Sequence, residues 1–371
     1  MKTILMFLSW IWTLFFSIFF VLSVASGYLL PSLLIISILL LIIPPVQTWI
    51  REKAKINFPF WIKLILIPVL FILFNYLIFL NMGNPDSIFK NQEIEQRLMQ
   101  IYEKKMQKWP VPNETRLIKT EYGKVHVIIS GPADSSALML LHASGMGGWS
   151  WLYNVKGLND HYRTFAIDMI GDAGKSKLNQ LDHYPKTGPE LADFISCLMD
   201  SLGVEKASFI GGSQGGYIST NVAIYAPNRI EKLICSGPMG YTGTNLSVLR
   251  IVLTTMFPVK PLQSSSFAWA FGNDPTVTDE VHDWFYSVLE GVIPRQAQPV
   301  PFTEEQFKRI NVPVLLLLGL RDGLVGDPER TKEVVKSISD IQVEILNAGH
   351  LISAELPEKF NKLVLDFLKS E

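Results

Sequence analysis

Cysteine is nearly absent: Cys197 and Cys235 are the only two in 371 residues. Neither belongs to a paired Cys/His spacing that would hold zinc, so no metal is expected, and two thiols make no disulfide framework. Nothing in the chain calls for a cofactor. Both thiols lie among apolar residues, one in a helix-like run and one in a strand-like run, and read as core filler. Charge is scarce too, at 18% of residues, and a net charge of −1 offers no concentrated basic surface. Nucleic acid is therefore excluded as a partner.

The counterpart of little charge is 48% apolar residues, in excess at the amino end. Ile4 to Val24, Tyr28 to Val46 (closing on Pro44-Pro45) and Phe60 to Leu80 (with Pro68 as a kink) are each near the ~20 apolar residues that a membrane span needs. Three transmembrane helices are expected within residues 1–82, since backbone groups in lipid must pair internally. Ser26-Gly27-Tyr28 suits a hairpin turn. Ser23-Val24-Ala25 resembles a signal-peptidase site, which leaves a cleaved first segment as the alternative, although its apolar core exceeds the ~7–15 residues usual for a signal. Arg51, Lys53, Lys55 and Lys63 flank the turn between the second and third segments, and Lys2 precedes the first. Cationic loops stay in the cytoplasm, so the expected location is a multi-pass cell-membrane protein with the rest of the chain outside.

Residues 83–110 turn polar, with Ile94, Leu98, Ile101 and Tyr102 on one helical face. The opposite face is mixed in sign rather than basic, which favours a helix on a protein surface over one along a membrane. From residue 111 to 371, strand-like and helix-like runs alternate. Strand candidates are Val125–Ile129, Ala137–Leu141, Thr164–Ile167, Ala207–Ile210, Leu233–Ser236, Val314–Leu318 and Val343–Leu346, and helix candidates include Pro189–Leu202 and Gly215–Tyr225. Such alternation predicts an α/β fold, a mostly parallel sheet with helices on both faces. Residues 241–308 interrupt it with helix-like stretches at Leu249–Phe257, Ser265–Phe271 and Val281–Leu289, rich in aromatic and aliphatic side chains. This segment is expected to form a lid. An apolar lid suits a small-molecule substrate with an acyl or aromatic part.

Gly211-Gly212-Ser213-Gln214-Gly215 joins a strand candidate to a helix candidate. A nucleophilic serine on so sharp a turn needs small residues two positions to either side, and Gly211 and Gly215 supply them. Arg321-Asp322-Gly323 follows the strand candidate Val314–Leu318, and His350 follows Val343–Leu346. The order Ser, Asp, His reads as a serine hydrolase: Ser213 as nucleophile, His350 as base, and Asp322 as the carboxylate orienting the imidazole. Asp327 is a rival acid, although Pro328 marks it as a helix start. Among the other histidines, His126 falls mid-strand, His282 in the lid, and His161 and His183 in loops without a matching partner. His142, Asp168 and Ser176 read as loop organisers.

These residues, with His142-Ala143-Ser144-Gly145 at a strand end and the loop Asp168-Met169-Ile170-Gly171-Asp172-Ala173-Gly174-Lys175-Ser176, resemble the α/β-hydrolase superfamily from Trp109 onward. The Trp109-Pro110-Val111-Pro112 lead-in and the Ile-Gly-Asp loop are most similar to Gram-positive bacterial carboxylesterase-like members. Ala143 stands where the family motif has glycine. The resemblance implies an oxyanion hole from the backbone N–H groups of Gln214 and Ser144, and an acyl-enzyme hydrolysed by water. The three apolar segments are additional to the superfamily core. The expected activity is a membrane-anchored carboxylesterase. Amide hydrolysis at a peptide amino terminus, carbon–carbon cleavage or acyl transfer on the same three residues remain open, as does a non-catalytic binding module.

Overall fold

The computed structural model describes residues 87–242, 259–271 and 279–370, together with 10–11, 13–14, 16–21, 29–49, 52–53, 66–67, 69–71, 73–74 and 254. The chain divides into two compact units, residues 1–83 with 252–263 and residues 84–251 with 264–371.

In the first unit, Phe16, Ile35, Ile38 and Phe74 form a small buried cluster, against which Phe71 and Leu262 pack. Phe16 meets Phe71 edge-on at 5.7 Å between centroids. The described part of the second expected span is the 14-residue helix Leu29–Ile42, followed after Ile43 by the helix Pro44–Trp49. Proline lacks the N–H that would continue the hydrogen-bond ladder, which accounts for the break. At ~1.5 Å per residue the first helix is about 21 Å long, short of a ~30 Å hydrocarbon core. Among the described residues, no helix is long and apolar enough to cross a membrane. Most of the first and third expected spans lies outside the described residues.

The second unit is built on a nine-stranded sheet: β1 (Asn113–Lys119), β2 (Gly123–Ser130), β3 (Ala137–Leu141), β4 (Arg163–Ile167), β5 (Lys177–Leu178), β6 (Ala207–Gly212), β7 (Ile230–Ser236), β8 (Val314–Gly319) and β9 (Ile341–Leu346). The order is β1-β2-β4-β3-β6-β7-β8-β9, with β5 on β2. From β4 to β9 neighbours are parallel; β1, β2 and β5 pair antiparallel. Apart from the edge strand β9, the parallel strands are largely buried on both sides. Met139, Leu141, Phe209 and Leu316 point into one core cluster, while Leu138, Leu140, Ile210 and Leu317 point into another. Such two-sided burial explains why these strands are unbroken apolar runs rather than alternating ones. The first cluster is covered by the helices Gly188–Leu202 and Gln214–Tyr225, the second by Pro357–Lys369 through Phe360, Val364 and Phe367.

Helix Gly188–Leu202 opens with a Thr187/Glu190 capping box and closes at Gly203, whose φ of 74° is left-handed. Its buried face is Leu191, Phe194, Ile195, Leu198 and Met199, a spacing of three and four that turns Cys197 outward. Cys197 is accordingly exposed, against the expectation of a core residue, whereas Cys235 is buried in β7.

The polar-faced helix spans Gln92–Met106, capped by Asn91, whose side chain accepts from the Ile94 N–H at 2.9 Å. Ile94, Leu98 and Tyr102 enter a third cluster with Trp149, Phe267, Val281 and Trp284. The helix therefore lies on the body of the second unit. Phe267 belongs to the helix Lys260–Phe271, and Val281 and Trp284 to the helix Asp279–Gly291. Of the expected Leu249–Phe257 helix, only Thr254 is among the described residues.

Candidate active site

The carboxyl ends of β3, β4, β6, β8 and β9 deliver His142, Asp168, Ser213, Asp322 and His350 to one edge of the sheet. Ser213 sits between β6 and the helix Gln214–Tyr225 with φ 50°, and is the only described non-glycine residue with positive φ. A left-handed conformation at a residue with a side chain costs about 1–3 kcal/mol and persists only where the surroundings hold it. They do. The Ser213 N–H donates to Ser236 O at 2.9 Å, and the Ser213 carbonyl accepts from Tyr217 N at 3.1 Å and Met239 N at 3.2 Å. The flanking glycines leave no room for a side chain: a Cβ on Gly211 would lie 2.4 Å from the Gly215 carbonyl, and one on Gly215 2.1 Å from Leu141 O.

His350 Nδ1 donates to Asp322 Oδ2 at 2.8 Å, and both side chains are almost fully buried. The other carboxylate oxygen of Asp322 accepts from the N–H groups of Leu324 at 2.8 Å and Val325 at 3.2 Å, which fixes its plane. Gly237 suits this position: its φ of 50° is left-handed, and a Cβ would come within 3.1 Å of Asp322 Oδ2 and 3.3 Å of His350 Nδ1, tight enough to displace them by a few tenths of an ångström. Ser213 and His350 line the same cavity, about 480 Å³ including its open mouth. With Nδ1 bonded to the carboxylate, Nε2 is the ring atom left to accept a proton. An imidazole so oriented can serve as base toward a hydroxyl that lines the same cavity. Asp327 is exposed and caps the helix Pro328–Val334, accepting from Glu329 N at 3.0 Å.

Of the two expected oxyanion donors, Gln214 follows Ser213 directly as the first residue of its helix. Its side chain donates to Ala297 O at 2.8 Å. Ser144 is exposed at the turn after β3, and the neighbouring Ala143 lines the cavity. Ala143 has no positive φ, so its methyl replaces the family glycine without backbone strain. The turn is closed by Met146 N donating to Ala143 O at 3.0 Å.

His142 Nε2 accepts from Met169 N at 2.9 Å, which puts the proton of the neutral ring on Nδ1, 2.8 Å from Ala143 O. The acidic loop after β4 is buried. Burial pushes the Asp168 carboxyl up, but the hydrogen bond and charge of His126 and the Lys175 N–H together hold it below the ordinary range. For Asp172 burial wins over the N–H groups of Ala173 and Gly145, and its pKa is raised. Asp168 takes His126 Nδ1 at 3.0 Å, the Tyr102 hydroxyl at 3.0 Å and Gly148 N at 2.6 Å. The Ser176 hydroxyl donates to Asp168 O at 2.6 Å. These residues organise loops. The remaining histidines lie off the cavity: His161 near Lys369, His183 against Tyr122 and His282 against Phe267.

Sequence reading missed Glu355 and Trp284. Glu355, with a fully buried carboxylate, accepts from Gly349 N at 2.8 Å and from Arg321 at 3.5 Å, tying the loop of His350 to that of Asp322. Trp284 donates to Gly145 O at 2.6 Å across 139 residues. No local motif signals either contact. Among the described residues, no group of His, Cys, Asp and Glu could hold a metal ion.

The elbow geometry makes a paired prediction. Gly215→Ala forces a methyl into Leu141 O and is expected to cost more than about 4 kcal/mol or abolish folding. Gly212→Ala, whose Cβ would meet nothing nearer than 3.9 Å, is expected to fold with wild-type Tm. Thermal unfolding of both variants checks this, and equal Tm values would contradict the close approach.

Residues 136–254 match the family model for the alpha/beta hydrolase fold. The carboxylesterase YbfK of Bacillus subtilis is 30% identical over 285 residues, covering 73% of this chain and 93% of that protein. A second Bacillus subtilis protein, described as the uncharacterized carboxylesterase nap, is 29% identical over 298 residues, covering 74% and 93%. The crystal structure of naproxen esterase from Bacillus subtilis superimposes with a TM-score of 0.70 at 27% identity, covering 75% of this chain and 99% of that one. The chain is a hydrolase belonging to the α/β-hydrolase superfamily, with carboxylesterases among its relatives.

Proposed function

We propose that this protein is a membrane-anchored serine carboxylesterase that hydrolyses small acyl esters through Ser213, His350 and Asp322. The observation that carries the reading is the 2.8 Å bond from His350 to Asp322, on an imidazole that shares a cavity with Ser213. His350 Nε2 takes the proton of the Ser213 hydroxyl as Oγ bonds to the ester carbonyl carbon. The carbonyl oxygen becomes an oxyanion, met by the backbone N–H of Gln214 and one from the turn after β3, Ser144 being the expected donor. Loss of one such donor typically costs about 3–4 kcal/mol of transition-state stabilisation. His350 then protonates the departing alkoxide, leaving an acyl-Ser213. Water, deprotonated by the same nitrogen, attacks the acyl carbon, releases the carboxylic acid and restores the serine. Asp322 stays ionised and stabilises the imidazolium.

Apolar Met146, Trp151, Val281 and Leu351 line the cavity beside the hydroxyl-bearing Ser150, Tyr153 and Ser353. That lining suits an uncharged ester with an apolar portion. The similarity to Bacillus subtilis carboxylesterases supports the same bond type. Fluorophosphonate is expected to label the full-length protein in detergent, and Ser213→Ala to abolish both labelling and p-nitrophenyl ester hydrolysis, by about 10⁴-fold or more in kcat. Equal labelling of that variant, or faster cleavage of aminoacyl anilides than of esters, would overturn the proposal.

Membrane anchoring rests on the amino-terminal apolar segments. Trp10, Ile11, Leu14, Ile18, Val21, Leu33, Trp49, Val69 and Leu73 are all exposed in that unit, a density that water disfavours. The cationic residues Arg51 to Lys63 favour a cytoplasmic turn and an extracellular catalytic unit. Protease added to intact cells is expected to digest the catalytic unit. Protection that is lost on lysis would reverse the orientation, and recovery of the protein in the soluble fraction would refute the anchor.

A further inference from the structure

We infer that Trp284, on the helix Asp279–Gly291, is a positioning residue that holds the oxyanion loop through the carbonyl of Gly145. The inference rests on the serine-hydrolase reading above. Gly145 has φ +75°, in the left-handed region, and a glycine restrains its own backbone least of any residue. Its orientation must be imposed from outside. The Gly145 N–H donates to both carboxylate oxygens of Asp172, at 3.1 and 2.9 Å, and its C=O accepts from Trp284 Nε1 at 2.6 Å. The residue is gripped on both polar groups. Trp284 is itself fully buried, edge-on to Trp149 at 5.2 Å and tilted against Tyr102 at 6.1 Å. The Tyr102 hydroxyl donates to Asp168, which also accepts Gly148 N, so the far end of the same loop is pinned by the same cluster.

Ala143 and Met146, on either side of Gly145, line the cavity with Ser213. Turning the Gly145 peptide would swing the N–H groups of the turn away from where negative charge develops. Oxyanion contacts strengthen only as the tetrahedral species forms, so a loosened loop lowers kcat and leaves KM alone. The indole N–H is a donor with no accepting role, so removing that one hydrogen tests the contact.

The experiment uses the full-length protein in detergent, as Trp284→Phe and as a variant carrying β-(3-benzothienyl)alanine at position 284, which keeps the ring shape and replaces N–H by sulfur. Each is assayed for thermal unfolding, for kcat and KM on p-nitrophenyl acetate, and for inhibition by an aryl trifluoromethyl ketone, whose serine adduct bears an oxyanion. The expected result is a kcat lower by about three- to ten-fold, the size of one neutral hydrogen bond. Ketone affinity falls by the same factor, while KM stays at wild type and the benzothienyl variant remains folded, its Tm lowered by no more than the loss of one hydrogen bond. If Trp284→Phe does not fold, the benzothienyl variant alone decides. Wild-type kcat and ketone affinity without the N–H would overturn the inference, as would a change confined to KM. Failure of the underlying reading is distinguishable, because wild-type protein would then show no fluorophosphonate labelling at Ser213, and both proposals would fall.

Discussion

The hydrogen bond from His350 to Asp322 joins two loops that leave different strands, β9 and β8, and most of the site's geometry depends on it. A buried carboxylate is tolerated only when its charge is matched by donors, and Asp322 has three: the imidazole and the N–H groups of Leu324 and Val325. The same bond selects the ring nitrogen that faces the chemistry. Glu355 reinforces it one layer back by fastening Gly349 and Arg321, the residues that precede His350 and Asp322.

The sheet explains why such distant residues meet. Parallel strands all end on the same side, so loops separated by more than a hundred residues open onto one edge. The close approach of Gly215 to Leu141 O locks β3 to the elbow, and through it the turn after β3 to Ser213. A second buried system, Tyr102, His126 and Asp168, fastens the helix Gln92–Met106 to the loops after β3 and β4. That helix, polar on one side and placed between the apolar segments and the sheet in sequence, is part of the hydrolase body.

Much of the fold was legible because two-sided burial writes itself into the chain: β3, β4, β6, β7 and β8 are short apolar runs bounded by turn residues. β1 was not legible. Its sequence Asn-Glu-Thr-Arg-Leu-Ile-Lys is exposed along nearly its whole length and pairs on one side alone, so no apolar face marks it. Ser213 stood out through its glycines, and Asp322 and His350 through their places after strands. Trp284 acts through one backbone carbonyl, and Glu355 through one backbone N–H and the Arg321 guanidinium; such contacts leave no pattern in composition or spacing. Cys197 misled because its neighbours are apolar, whereas helical geometry sends it outward.

In the proposed mechanism Asp322, and not the nearby Asp327, serves His350. The most direct test is kcat/KM for p-nitrophenyl acetate in Asp322→Asn and Asp327→Asn. A loss of about 10⁴-fold is expected in the first, because the amide favours the wrong imidazole tautomer. Wild-type turnover is expected in the second, with at most about 1 kcal/mol lost from the helix cap. Retained activity in Asp322→Asn, or its loss in Asp327→Asn alone, would contradict that mechanism.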